Sequence, residues 1–408
     1  MKPLGPIPPG FAAIEGELAI DGHRASELVE RAGDTPLFVY SRRLLAQKVA
    51  ALRAAMPPQL AIHYAMKANP FGPLLEEMAG LVDGFDVASS GEMALAFKAG
   101  VSPQLVSFAG PGKRDAELQA AIHHGVTINL ESENEARRAI EIAEREGRRP
   151  RLAIRVNPDF DLKGSGMKMG GGAKPFGVDA ERVPALVRHI VGSGAEWRGF
   201  HIYAGSQALS ADAVIDTQRQ TIDLAARLAQ ESGHAVPHCN LGGGFGVPYF
   251  PGDEPLDVAR VGEALANRFA ALPAELAQTR FCIELGRYLV AESGVYLCRV
   301  IDRKVSHGEI FLVTDGGLHH QLAATGNFGT VVRRNYPVAV ASRFGAAVEE
   351  EVTVVGCLCT PMDKLAERGG FPHAEPGDLI AVFCAGAYGA SASPAQFLGH
   401  GAAHEMLV

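Results

Sequence analysis

The sequence holds no apolar run of the roughly 18 residues needed to cross a bilayer, so no membrane partner is expected. Basic residues are in the minority, 38 Lys and Arg against 46 Asp and Glu, which leaves a net charge of −8. With no cationic surplus to neutralise phosphates, nucleic acid is excluded as a partner. Cysteine is scarce, six in 408 residues, which argues against a disulfide scaffold and for a reduced, cytoplasmic setting. Cys357 and Cys359 stand too close for a C-x-x-C redox pair, and nothing near them has zinc-site spacing. The first 20 residues lack the apolar core of a signal peptide. Internal repeats and low-complexity linkers are absent.

What is present is a rhythm. Between about residue 60 and residue 285, short β-rich runs alternate with longer helical stretches. The candidate strands are 61–65, 84–88, 105–109, 126–130, 152–156, 199–203, 238–241 and 281–285. Between them, 131–145 reads as a charged amphipathic helix. The stretch 217–230 places Ile222, Ala225 and Leu228 on one helical face, with Gly233 as a stop. After residue 285 the text becomes β-rich without long helices, at 295–305, 309–315, 351–356 and 378–385. The expected fold is α/β: a (β/α)8 TIM barrel over 41–285 and a β-rich C-terminal domain over 286–408, joined by the N-terminal segment 1–40. In such a barrel, chemistry belongs on the loops at the C-terminal ends of the strands.

Five motifs fall where that rule can be tested. His63-Tyr64-Ala65-Met66-Lys67-Ala68-Asn69-Pro70 ends an apolar strand in a lysine, whose desolvated amine would be a nucleophile able to form a Schiff base. Taken alone it could equally be a rim lysine with its head in water. Asn240-Leu241-Gly242-Gly243-Gly244-Phe245-Gly246 follows a strand with four glycines in five residues, a backbone suited to cradling phosphate. It lacks the spacing of a P-loop or a dinucleotide fingerprint. Ile283-Glu284-Leu285-Gly286-Arg287 offers a carboxylate and an anion contact at the last barrel strand. Gly356-Cys357-Leu358-Cys359-Thr360-Pro361-Met362-Asp363 and Ala385-Gly386-Ala387-Tyr388-Gly389 lie in the C-terminal region, where a packing role is the plainer reading for each.

In this order HYAMKANP, FDVASSGE, HIYAGSQ, NLGGGFG, ELGR, CTPMD and AGAYG resemble the fold-type III pyridoxal-phosphate decarboxylases, and most of all the diaminopimelate decarboxylases. The resemblance runs from about residue 35 to about residue 397. It implies pyridoxal 5'-phosphate as cofactor and loss of an amino acid's α-carboxylate as CO2 through an external aldimine. Lys67 would bind the cofactor and Glu284 would pair with its ring nitrogen. Gly243, Gly244, Gly246, Gly286 and Arg287 would hold the phosphate with Ser206 and Tyr388, while Asp86 and Arg155 line the pocket. Tyr203 stands where the family usually stacks a histidine on the ring, with His201 two residues away on the same strand face. Cys359 matches the cysteine that enters the partner subunit's site and is implicated in protonation, so the resemblance implies a homodimer with shared active sites. Asp363 matches the family's acidic residue there and, with Thr360, is a candidate substrate contact.

Two departures bear on the substrate. Diaminopimelate decarboxylases carry Glu after that cysteine, near the substrate's distal ammonium; here it is Thr360, which cannot balance a cation. Their Arg-Pro-Ala-Leu-Tyr segment is replaced by residues 318–329, followed by Arg333, Arg334 and Tyr336, of which Arg333 and Tyr336 are candidate substrate contacts. The C-terminal Phe397-Leu398-Gly399-His400 also replaces the usual ending. These changes resemble a side branch that acts on carrier-protein-bound glutamyl groups or accompanies exopolysaccharide and exosortase systems. The substrate is thus expected to be a small amino acid, free or carrier-bound, with diaminopimelate as the alternative. A racemase or a non-catalytic relative is the remaining reading; the former would not need CTPMD, and the latter would not need Lys67, Glu284 and Cys359. His319 and His320 read as neighbours on a strand with opposed side chains, so no metal is expected there.

Overall fold

The computed structural model describes residues 1–164, 166–326 and 333–408. The chain forms two compact units, one of residues 49–246 and 255–286, the other of residues 1–48, 247–254 and 287–408.

The first unit is the barrel. Its eight parallel strands are β1 (Ala61–Ala65), β2 (Gly84–Val87), β3 (Val106–Phe108), β4 (Thr127–Leu130), β5 (Arg151–Asn157), β6 (Glu196–Ile202), β7 (His238–Gly243) and β8 (Arg280–Leu285). Each pairs with the next, and β8 returns to β1 with Glu284 beside His63, which closes the sheet. Pairing on both edges with helices outside buries every residue of β2 and all but the first of β5, as parallel strands require.

The helices are set by local chemistry. Ser132 caps α1 (Glu133–Glu146) by accepting from Glu135 N at 3.1 Å, and Gly147 ends it in the left-handed region at φ +62°. α2 (Ala211–Ser232) is capped by Ser210 and stopped by Gly233, and it buries Ile222, Ala225 and Leu228 completely. It begins six residues before the expected 217, because Ser210 supplies the cap there. At Gly199, φ +98°, a Cβ would lie 1.9 Å from His238 O, so only glycine lets β6 press against β7. No helix among the described residues is long and apolar enough to cross a membrane.

The second unit is a mixed β structure. Its sheet runs Val338–Val340, Leu379–Phe383, Gly294–Ser306, Glu309–Thr314, Glu350–Val355, Lys364–Phe371. Gly294–Ser306 also pairs antiparallel with Leu37–Tyr40, which in turn pairs parallel with His404–Leu407, so both chain ends are woven into this unit. Leu18, Leu28, Leu37, Val295, Leu297 and Phe383 form its core. The cut differs from the expected 41–285 at residue 286 and at residues 41–48 and 247–254. The latter join the β unit because Tyr249 and Phe250 pack on Tyr336, with ring centroids 4.7 and 5.5 Å apart.

Candidate active site

At the C-terminal face of the barrel, β1 ends at Ala65 and a single 3-10 turn, Met66–Ala68, presents Lys67. The Lys67 side chain is exposed there. The turn lifts Lys67 past the end of the strand, and its Nζ stands 5.9 Å from the centre of the Tyr203 ring. Tyr203 follows the end of β6, and its hydroxyl lies 2.9 Å from Ser206 Oγ.

Beneath this surface three carboxylates are paired. Glu284 on β8, 7% exposed, has Oε2 3.0 Å from His201 Nε2 on β6, and Asn240 Nδ2 on β7 donates to the same oxygen at 3.1 Å. Burial alone would raise its pKa, but His201, Lys67 and Arg155 together hold it well below the usual carboxylate range. Asp86 on β2 lies 3.3 Å from His63 Nδ1 on β1. Burial pushes His63 down, yet the Asp86 carboxylate outweighs it and raises the imidazole pKa. Glu131 after β4 accepts from Arg155 Nη1 on β5 at 3.0 Å, from Gly110 N at 2.6 Å and from Gly177 N at 3.0 Å.

The glycine run follows the pleat of β7 and then bends. A Cβ at Gly243 would lie 1.9 Å from Glu284 O and one at Gly244, φ +78°, 2.2 Å from Gly205 O, so the loop nests between its neighbours only as glycine. Gly246 N donates to Ala208 O at 2.8 Å, so this amide closes the loop and is not available to a phosphate.

In the β unit the expected residues form separate groups. The Arg287 guanidinium lies 4.7 Å from the Tyr388 ring and 5.5 Å from that of Tyr249, and its Nη1 donates to Tyr249 OH at 3.1 Å. Tyr336 stacks on the same Tyr249. Cys359 is exposed on the 357–360 turn, and Thr360 Oγ1 accepts from Met362 N at 3.4 Å. Asp363 is turned inward, 2% exposed, with Oδ1 accepting from Leu318 N at 2.6 Å and Oδ2 from Leu358 N at 2.9 Å. Its carboxylate is spent on holding the cysteine turn to residues 317–318, in place of the expected substrate contact. Arg333 is likewise engaged, donating from Nη2 to Lys364 O. His319 and His320 lie in a turn and not on a strand, with ring centres 3.8 Å apart, because the chain folds back at Gly317. Asn327, Phe328 and Gly329 lie outside the described residues.

His63, Glu131, Asn240 and Tyr249 were not singled out in sequence. For two of them a signal existed, since alternate strand positions share the barrel interior and His63 and Asn240 stand inside quoted motifs. Glu131 and Tyr249 matter only through cross-chain neighbours.

The barrel group suits pyridoxal phosphate. A buried carboxylate held ionised is what a protonated ring nitrogen needs as a partner, and Gly243 and Gly244 keep side chains out of the loop that follows β7. Residues 42–291 match the family described as pyridoxal-dependent decarboxylase, pyridoxal binding domain. The chain is 37% identical over 380 residues to the L-glutamyl-[BtrI acyl-carrier protein] decarboxylase of Niallia circulans, covering 92% of this chain and 89% of that one. It is 33% identical over 404 residues to the diaminopimelate decarboxylase of Archaeoglobus fulgidus, covering 98% and 93%. The crystal structure of the M. jannaschii diaminopimelate decarboxylase in complex with L-lysine superposes with a TM-score of 0.89 at 25% identity, covering 98% of this chain and 93% of that one. A barrel that matches this family throughout, and relatives that span nearly the whole chain, make the protein a member of the pyridoxal-phosphate-dependent decarboxylases of the diaminopimelate decarboxylase type.

Proposed function

We propose that this decarboxylase acts on an amino acid whose distal end bears no free ammonium, presented as a modified or carrier-linked group. The observation that carries the reading is Thr360, an uncharged side chain on the cysteine turn where diaminopimelate decarboxylases are expected to place a glutamate. The 37% identity to a decarboxylase of a carrier-bound glutamyl group supports it.

The bound cofactor supplies an electron sink for the charge left at Cα when CO2 departs. Lys67, on the turn after β1, would supply the amine that holds the cofactor and a proton donor. Glu284, fixed by His201 and Asn240, keeps the ring nitrogen protonated. Gly243, Gly244, Gly286 and Ser206 would hold the phosphate. Asp86, through His63, and Arg155, through Glu131, fix the walls of the pocket.

Cys359, exposed on its turn, serves the site of a second copy as proton donor, so the working form is a homodimer in the cytoplasm. Inactive Lys67→Ala and Cys359→Ala chains then complement each other on mixing, recovering about a quarter of full activity because half the dimers hold one intact site. Continued inactivity of a mixture shown to exchange subunits rules out shared sites.

Diaminopimelate is the second reading, favoured by the 98% coverage of this chain by the Archaeoglobus fulgidus enzyme. CO2 release by the cofactor-loaded protein from meso-diaminopimelate, against release from a glutamyl thioester of a carrier protein, separates the two. Release from the thioester alone supports the proposal; rapid release from diaminopimelate overturns it.

A further inference from the structure

The opposite, N-terminal mouth of the barrel carries a feature the decarboxylation does not use. A cavity of about 290 Å³ opens there, walled by the first residues of successive strands and reaching inward to His63 and Asn240. Arg198, His238 and Arg280 line it, and Arg151 stands at the start of β5 beside them. Register explains the gathering, because Arg151 pairs with Glu196 and His238 with Arg280 across neighbouring strands.

The charges do not balance. Glu196 is shared, with its Oε1 3.4 Å from Arg151 Nε and 2.9 Å from Arg198 Nη1. Asp83, which lines the cavity, is taken by Arg53 at 2.9 Å and by Ile62 N at 2.7 Å. Arg280 has no ion-pair partner among the described residues, and the buried Nε of Arg198 has no hydrogen-bond partner among them. Burial first, and then the surrounding guanidiniums, push His238 down to about 4. A floor built only for stability would pair its cations, since like charges this close repel.

We propose that the N-terminal mouth of the barrel binds a small phosphate-bearing oxyanion, held by Arg198 and Arg280 with His238 and Arg151 around it. Planar guanidiniums suit phosphate bidentately, and the cavity has room for more than the bare anion. Its inner wall touches the machinery above: Asn240, which lines the cavity, donates to Glu284, and His63, which also lines it, pairs with Asp86.

The test is calorimetric titration of the cofactor-loaded protein with inorganic phosphate, and separately with glycerol 3-phosphate, against sodium chloride at matched ionic strength. The cofactor absorbance is followed throughout. Saturable binding of one anion per chain is expected for at least one of the two, weakened about ten-fold by Arg280→Ala, the loss of one charge-assisted contact. Arg280→Lys, which keeps the charge, restores part of that loss. Binding of equal strength in wild type and Arg280→Ala, heats no different from chloride, or phosphate that displaces the cofactor would each overturn the proposal. Arg280 lies on the surface at the first position of β8, so its removal leaves the core intact, and an unchanged circular dichroism spectrum checks this.

Discussion

The two mouths of one barrel handle charge in opposite ways. At the C-terminal end each buried carboxylate faces a cationic or protonatable partner: Glu284 with His201, Asp86 with His63, Glu131 with Arg155. At the N-terminal end three arginines and His238 gather around the single shared Glu196. Pairing at the upper end fixes side chains in place before any ligand arrives, which a cofactor requires if its reacting bonds are to be oriented. Unbalanced charge at the lower end leaves a site whose electrostatics a ligand would complete. The comparison predicts that substitutions at the upper mouth alter chemistry, whereas those at the lower mouth alter binding and stability.

The largest effect belongs to Lys67. Lys67→Ala removes the amine proposed to hold the cofactor, and turnover is expected to fall by about 10³-fold or more. The absorbance of the lysine-bound cofactor disappears with it. A variant that keeps both its absorbance and its turnover would break the assignment of the upper mouth.

Glu284→Gln comes next. The carboxylate is held ionised by His201, so an amide of the same shape keeps the packing and loses the charge. We expect kcat to fall by about 10²-fold while the protein still binds cofactor, the size of effect usual for a misplaced proton. An unchanged kcat would show that the ring nitrogen needs no anionic partner here.

Much of this upper mouth is legible in the sequence, for a physical reason. Parallel strands and capped helices alternate with fixed spacing, and a glycine run or a terminal lysine is a local signal that needs no knowledge of neighbours. The β unit is harder to read. Lys364–Phe371, KLAERGGF, shows no clean alternation because its register shifts against Glu350–Val355, and Leu37–Tyr40 is a strand only by virtue of partners some 250 and 365 residues away. The carboxylate–histidine pairs are also illegible, since His201 and Glu284 meet across a closed barrel that no single window of sequence contains. Asp363 shows the reverse error: its place in a recognisable motif suggested a ligand contact, while its burial makes it a clamp for the turn.

The smallest expected effect sharpens the comparison most, because two histidines along the same cavity shift in opposite directions. His238 is pushed down to about 4 from an ordinary 6.5, first by burial and then by Arg198, Arg280 and Arg151, with Glu196 and Asp83 already engaged. As pH falls from 6.5 towards 4, the unfolded chain takes up a proton that the folded chain refuses, so His238 makes stability decline with acidification. His63, raised by Asp86, does the reverse: its contribution is fully present below 6.5 and is lost as pH rises through its higher folded value. Removing His238 alone therefore leaves the His63 contribution standing. His238→Gln should lose less melting temperature than wild type between pH 7 and pH 5, with the two proteins closest to parallel above pH 7. If the lower mouth holds an oxyanion, saturating phosphate narrows that gap, because the bound charge lets His238 accept its proton in the folded state. Equal slopes for wild type and variant from pH 7 to pH 5 would mean that neither burial nor the guanidiniums hold His238 neutral, and the contrast between the two mouths would lose its basis.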